Sequence, residues 1–233
     1  VVSPNAGQAS ECILFFGGSF VFGEGVEDWQ NLPSQTSRLV GGRYRLLNFG
    51  FHGYGPNKML ASLQSGLVTE VACSTVRQAV YLALEYHMQR VAGLATWDTA
   101  GPRYRLERGR LVRRGRFEPP GAIGFQLLKS LLFSRLRDSL TLVRADELMV
   151  AIVSEARAEL LAQYPGSRFL VLFWDSPESV GSTVLMRRMR AAGLEVVPAS
   201  ELLADLHVDP VRYQLARNET HPNAHAYRTL AAF

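Results

Sequence analysis

Hydrophobic residues along this chain fall into short dense runs separated by polar, glycine-bearing stretches. Five runs stand out: Cys12–Phe16, Tyr44–Phe49, Gln78–Leu84, Arg168–Phe173 and Leu194–Val197. Each is too short for a helix and rich in bulky side chains, the signature of a strand buried on both faces of a parallel sheet. Helical spacing fills the intervals. Leu32–Leu39 follows Asn31 as N-cap, with Pro33 in its first turn. Pro56 opens a helix that puts Met59, Leu60 and Leu63 on one face. Ala145–Gln163 is a long helix stopped by Pro165-Gly166, and Val180–Ala192 is closed by Gly193. A short helix is expected near Ala199–Asp205 and a last one over Ala224–Ala232. Five strands alternating with helices predict one α/β domain over residues 1–233, a three-layer α/β/α sandwich on a five-stranded parallel sheet.

The alternation breaks between about residues 97 and 140, and there composition matters. The net charge is +4, lysine occurs only at Lys58 and Lys129, and arginines cluster between Arg103 and Arg137. βα connections are usually much shorter, so this stretch reads as an inserted cap. Tyr104–Leu106 and Leu111–Val112 flank Arg108-Gly109 as a small hairpin, Pro119-Pro120-Gly121 marks a loop, and Phe125–Leu136 has amphipathic helical spacing. Its arginines and aromatics admit a solvated face, a surface for anionic polysaccharide, or a nucleic-acid surface. No nucleic-acid motif accompanies them, so nucleic acid is not expected as a partner.

Chemistry concentrates at the carboxyl ends of the predicted strands, where open α/β sheets hold their ligands. Gly17-Gly18-Ser19 follows the first strand, a glycine-rich loop from Gly50 to Gly55 follows the second, and Glu85-Tyr86-His87 follows the third. His221 sits in the final loop, two residues after Glu219. A serine hydroxyl attacks only when a base takes its proton, and histidine suits that role. A third group must hold the histidine tautomer, and Glu219 is the nearest acid in sequence. The backbone N–H groups of Ser19 and Gly53 are candidate oxyanion donors. Taken alone, Gly-Gly-Ser also fits an ordinary turn or a phosphate loop, although the Lys-Ser/Thr pair of the latter is missing. No metal or cofactor motif is present. Cys12 and Cys73 each precede a strand, and a disulfide and two separate buried thiols both stay open.

Together these residues resemble the SGNH (GDSL-type) hydrolases. Gly17-Gly18-Ser19-Phe20 is similar to their first block, with Gly18 where Asp is usual. Asn48-Phe49-Gly50-Phe51-His52-Gly53 is similar to the second, and His221-Pro222-Asn223 to the end of the last. The resemblance implies an SGNH/flavodoxin-like fold, Ser19 as nucleophile, His221 as base, Ser19 and Gly53 as oxyanion donors, and no cofactor. It departs in two places. Asn218 stands where the usual Asp precedes the histidine by three, leaving Glu219 or a backbone carbonyl to orient His221. The usual oxyanion Asn after the third strand is missing, and Tyr86 or, preferred, His87 is expected in its place. Tyr54, Tyr86 and Trp97 are the candidate substrate-binding aromatics.

The Gly23-Glu24-Gly25-Val26 loop and the loop ending in Gly53-Tyr54-Gly55-Pro56 resemble the branch found in bacterial cell-surface polysaccharide clusters. That implies an esterase or O-acyltransferase acting on acetyl esters of carbohydrate, in an extracytoplasmic setting and often tethered to a membrane upstream. The alternative is an impaired SGNH-like module that binds polysaccharide or a partner protein. A different α/β enzyme acting on phosphates is a third reading.

Overall fold

The computed structural model describes residues 9–95, 97, 98, 100–118, 144–176 and 179–233. The expected loop at residues 119–121 and helix at residues 125–136 lie outside the described residues.

The chain begins with β1 (Glu11–Phe16), turns at Gly17-Gly18 into the one-turn helix α1 (Ser19–Phe22), and reaches α2 (Leu32–Leu39) through a 3-10 turn at Asp28–Gln30. Asn31 caps α2 by accepting from the Ser34 N–H, as its position predicts. β2 (Arg45–Asn48), α3 (Pro56–Gln64), α4 (Leu67–Val71), β3 (Thr75–Leu84) and α5 (His87–Val91) follow. The stretch expected to be an insertion forms the hairpin β4 (Pro102–Glu107) and β5 (Arg110–Arg116). Then come α6 (Ala145–Gln163), β6 (Arg168–Trp174), α7 (Val180–Ala191), β7 (Glu195–Pro198), 3-10 turns at Ala199–Glu201 and Pro210–Tyr213, the hairpin β8 (Gln214–Ala216) and β9 (Glu219–Pro222), and α8 (Ala224–Ala231).

Five strands form the expected all-parallel sheet, in the order β2-β1-β3-β6-β7. The chain goes to one side of β1 for β2 and to the other for β3. The crevice at the carboxyl ends of β1 and β3 is therefore the topological switch point of this doubly wound sheet. Strand side chains alternate between two apolar layers. Leu14, Phe16, Tyr81, Val171 and Phe173 pack against α3 and the buried face of α6 on one side. Ile13, Phe15, Leu82 and Leu172 pack against α1, α2 and α8 on the other.

Two details settle questions that the sequence left open. Cys12 and Cys73 are joined in a disulfide that links the start of β1 to the residues just before β3. Tyr104 of the insertion is 3% exposed and donates to Gln64 Oε1 at 2.8 Å, so it belongs to the core against α3 and not to a stacking surface. Leu111 also packs against the core, and the outer positions of the hairpin are rich in arginine, with Arg114 donating to the Glu107 carboxylate at 2.7 Å through its Nε.

Candidate active site

The site begins with the backbone. Ser19 is the first residue of α1, so its N–H has no partner in the preceding turn. Gly18 N-caps that helix, and the Val21 and Phe22 N–H groups donate to the Gly18 carbonyl. The serine is 8% exposed, at the end of a strand buried on both faces. Asn48, at the end of β2, ties this turn to the next loop. Its amide donates to the Val21 carbonyl at 3.0 Å and its oxygen accepts from the Gly50 N–H at 2.8 Å.

His221 arrives from the opposite end of the chain on β9. Asn223 fixes its approach. The Asn223 oxygen caps α8 by accepting from the His225 and Ala226 N–H groups, each at 3.0 Å, and its amide donates to the Arg212 and Gln214 carbonyls at 2.9 Å. The Tyr227 hydroxyl, one turn into α8, donates to the Phe20 carbonyl at 2.8 Å. The Phe20 ring then packs on His221, 4.9 Å between centroids.

These supports bring three predicted side chains into one chain of hydrogen bonds. Ser19 Oγ lies 2.8 Å from His221 Nε2. His221 Nδ1 lies 2.5 Å from Glu219 Oε1, which also accepts from the His221 N–H at 3.2 Å. The two hydrogen bonds from His221 hold the Glu219 carboxyl below its ordinary range. With Nδ1–H committed to Glu219, Nε2 presents its lone pair to the serine hydroxyl, the tautomer that proton abstraction requires. Asp175, at the end of β6, is not the orienting acid. It accepts from the Ser200 N–H at 3.0 Å and the Ser200 hydroxyl at 2.6 Å, and lies 2.8 Å from His207 Nε2.

Gly53 has φ +71°, and a Cβ there would sit 2.6 Å from Trp97 Nε1. Only glycine allows the loop to take this left-handed turn beneath the indole. Trp97 in turn stacks on Tyr86, with centroids 6.4 Å apart and planes within 8°. Both rings are about half exposed, forming an aromatic wall beside Gly53. Tyr54 is half-buried against Phe51, with the Lys58 ammonium 4.7 Å from its ring.

His87 requires a correction. Its side chain is fully buried, with Nδ1 2.6 Å from the Tyr81 hydroxyl, and Nε2 is buried without a partner among the described residues. Burial, reinforced by the nearby Arg90 guanidinium, pushes its pKa well down, so the ring is neutral. A substrate oxygen does not meet Nε2 in this arrangement. The expected oxyanion role finds no support because the two-residue turn Glu85-Tyr86 between β3 and α5 turns residue 87 inward while Tyr86 faces out.

Four further residues escaped the sequence reading. Arg90, 8% exposed, donates through one terminal nitrogen to the Tyr54 carbonyl and so anchors the Gly53 loop. A Cβ on Gly18 would lie 2.5 Å from that guanidinium, 2.9 Å from the Tyr54 carbonyl and 3.4 Å from His87 Nε2. This explains the glycine where the related block carries Asp: the space is already filled. Glu85 accepts from the Ser179 hydroxyl and, at 2.9 Å, from the Ser182 hydroxyl, placing its charge at the N-terminus of α7. Glu24 and His52, 2.7 Å apart, lie at the mouth of the site. Of these, Glu24, His52 and Glu85 stood within quoted stretches and Arg90 in none; Glu85 and Arg90 gain meaning only from partners distant in sequence.

No protein-family model and no curated protein matches the sequence. Solved structures do match. A member of the lipolytic protein G-D-S-L family from Veillonella parvula DSM 2008 aligns over 95% of this chain and 94% of that one, at 13% identity and a TM-score of 0.53. Phospholipase A1 from Streptomyces albidoflavus NA297 aligns over 97% and 99%, at 11% identity and 0.53. LAE5, an alpha/beta hydrolase enzyme from the metagenome of Lake Arreo, Spain, aligns over 96% and 93%, at 16% identity and 0.51. At these identities the likeness is one of fold: the chain has the α/β architecture of the GDSL-type hydrolases.

Proposed function

We propose that this protein is a serine esterase or O-acyltransferase that takes an acyl group, acetyl foremost, from an acylated carbohydrate through an acyl-Ser19 intermediate. The observation that carries the reading is the continuous link from Ser19 Oγ through His221 to Glu219. That link also weighs against the impaired-module alternative, which rested on the missing Asp and the missing oxyanion Asn, by answering the first of these. Glu219 does from two residues away what that Asp does from three.

The steps follow from the geometry. Ser19 Oγ attacks the ester carbonyl carbon as His221 Nε2 takes its proton. The developing imidazolium is held by Glu219. The carbonyl oxygen gains negative charge and is met by the N–H groups of Ser19 and Gly53. As the tetrahedral intermediate collapses, the proton on Nε2 passes to the departing sugar oxygen. Water or a second hydroxyl then repeats the sequence in reverse and frees Ser19. The Tyr86–Trp97 wall beside Gly53 is a surface on which the apolar face of a sugar ring can stack, which supports a carbohydrate substrate. The Cys12–Cys73 disulfide supports an oxidising, extracytoplasmic setting. Among the described residues no helix is long and apolar enough to cross a membrane.

The test is hydrolysis of p-nitrophenyl acetate. Ser19→Ala is expected to abolish enzymatic turnover and covalent labelling by a fluorophosphonate. A variant that keeps wild-type turnover overturns the assignment.

A further inference from the structure

Two carboxylates, not one, flank His221. Glu219 holds Nδ1. On the other side, Glu24 Oε2 lies 3.4 Å from Nε2, the same nitrogen that Ser19 Oγ approaches at 2.8 Å. The position of Glu24 is built. Gly23 and Gly25, at φ +94° and +82°, turn the loop on either side of it, and its N–H donates to the Ser19 carbonyl at 3.1 Å. His52 Nδ1 lies 2.7 Å from Glu24 Oε2, and the His52 ring packs on Phe22 with centroids 4.4 Å apart. Glu24 is thus held between the turn that carries Ser19 and the loop that carries Gly53. Its side chain is 43% exposed, so a molecule entering from solvent can reach it.

A carboxylate and the lone pair of a neutral imidazole nitrogen are both acceptors and cannot bond each other. A molecule that sits beside both and brings two O–H donors satisfies the two acceptors at once. Such a molecule gives one hydrogen to Nε2 as its oxygen attacks the acyl carbon, and the other to Glu24. Water has two such hydrogens. A sugar has them when a second hydroxyl stands beside the reacting one. A simple monohydric alcohol has only one.

We propose that Glu24, held in place by His52, positions the acceptor in the second half-reaction and favours acceptors with two O–H donors, water or a vicinal diol, over monohydric alcohols. The inference rests on the acyl-serine reading above. In the step itself, the acceptor oxygen forms a bond to the acyl carbon while its proton passes to His221 Nε2. The bond between that carbon and Ser19 Oγ then breaks, and Nε2–H returns the proton to Oγ. Glu24 exchanges no proton and supplies one charge-assisted hydrogen bond.

The experiment uses the full chain, p-nitrophenyl acetate as donor, and equal concentrations of ethylene glycol and ethanol as competing acceptors, with both acetate esters measured by gas chromatography. One hydrogen bond to a partly exposed carboxylate corresponds to a preference of about tenfold per hydroxyl for the glycol. Wild type is expected to show it and Glu24→Ala to bring it to about one. Glu24→Asp, which keeps the charge near His221 but withdraws the oxygen, is expected to lower it as well. A variant that shows a p-nitrophenol burst but releases no ester also supports the proposal. If Glu24→Ala does not acylate, Glu24→Asp decides. A wild-type ratio near one, or a wild-type ratio retained in the variants, overturns the role of Glu24 while leaving acyl-Ser19 intact. Absence of any Ser19-dependent p-nitrophenol release in wild type overturns the acyl-serine reading itself.

Discussion

Reducing the Cys12–Cys73 bond is expected to cost stability while leaving catalysis in place. The bond closes a loop with a sequence separation of 61 residues. Loop-closure entropy for that length gives a ceiling of about 4 kcal/mol, and measured values often fall below it, so about 2–4 kcal/mol is expected. In a domain of this size each kcal/mol moves the melting temperature by about 2–4 °C, giving a drop of roughly 4–16 °C. The Ser19–His221–Glu219 chain stands apart from this change. Cys12 lies near the start of β1, whereas Ser19 follows its other end. The pairings of β1 with β2 and β3 run between the two and do not depend on the sulfurs. The assay is urea denaturation followed by circular dichroism, with and without dithiothreitol, beside initial rates on p-nitrophenyl acetate in native buffer. The midpoint is expected to fall with reduction while the initial rate stays within about twofold. Coincident midpoints refute the loop-closure argument. A rate lost in step with thiol release, with the dichroism spectrum unchanged, refutes the separation of the disulfide from the site.

Three other substitutions probe the site's supports. Glu219→Gln removes the charge that faces His221 Nδ1 and is expected to lower kcat by about 10- to 1,000-fold with little change in KM, less than for a buried triad acid because Glu219 is half exposed. Because His221 holds the Glu219 carboxyl low, the stabilisation is fully present above the ordinary carboxylate range and is lost as pH falls through the lower folded value; this acid-side loss should vanish in Glu219→Gln when melting is followed against pH. Gly18→Ala puts a methyl group into the space between Arg90 and the Tyr54 carbonyl, and should cost about 1–3 kcal/mol by urea denaturation while also slowing acylation by displacing the Gly53 loop. Glu85→Ala strips the charge from the N-terminus of α7 and leaves the Ser179 and Ser182 hydroxyls without their acceptor, an expected loss of about 1–2 kcal/mol read from the melting temperature.

The sheet was legible because its signal is local. Runs such as Cys12–Phe16 and Arg168–Phe173 are apolar on both faces, and burial on both faces of a parallel sheet is what such runs satisfy. The ends of α2 and α6 were legible for the same reason, since a cap or a proline acts on its immediate neighbours. Ser19, Gly53 and His221 were visible through their motifs, and Glu219 through its closeness to His221. The supports were not visible because they are pairings across long intervals. Glu85 meets Ser179 across 94 residues, and Arg90 reaches Tyr54 across 36. The hairpin of β8 and β9 has only 3 and 4 residues per strand, too few for a hydrophobic pattern. His87 misled because a histidine after a strand reads the same whether it turns toward the site or into the core. That choice belongs to the packing of α5 against the sheet.

The serine and the histidine stand 202 residues apart, with four of the five sheet strands between them in sequence. Synthesis therefore delivers Ser19 well before His221. A nascent chain that has already made all five parallel strands still lacks β9 and the Asn223 cap that aims His221. The Ser19–His221 contact thus forms only when the segment around His221 leaves the ribosome and closes over Phe20. Chains arrested short of that point would hold all five strands but lack both α8, which covers one face of the sheet, and the histidine that meets Ser19.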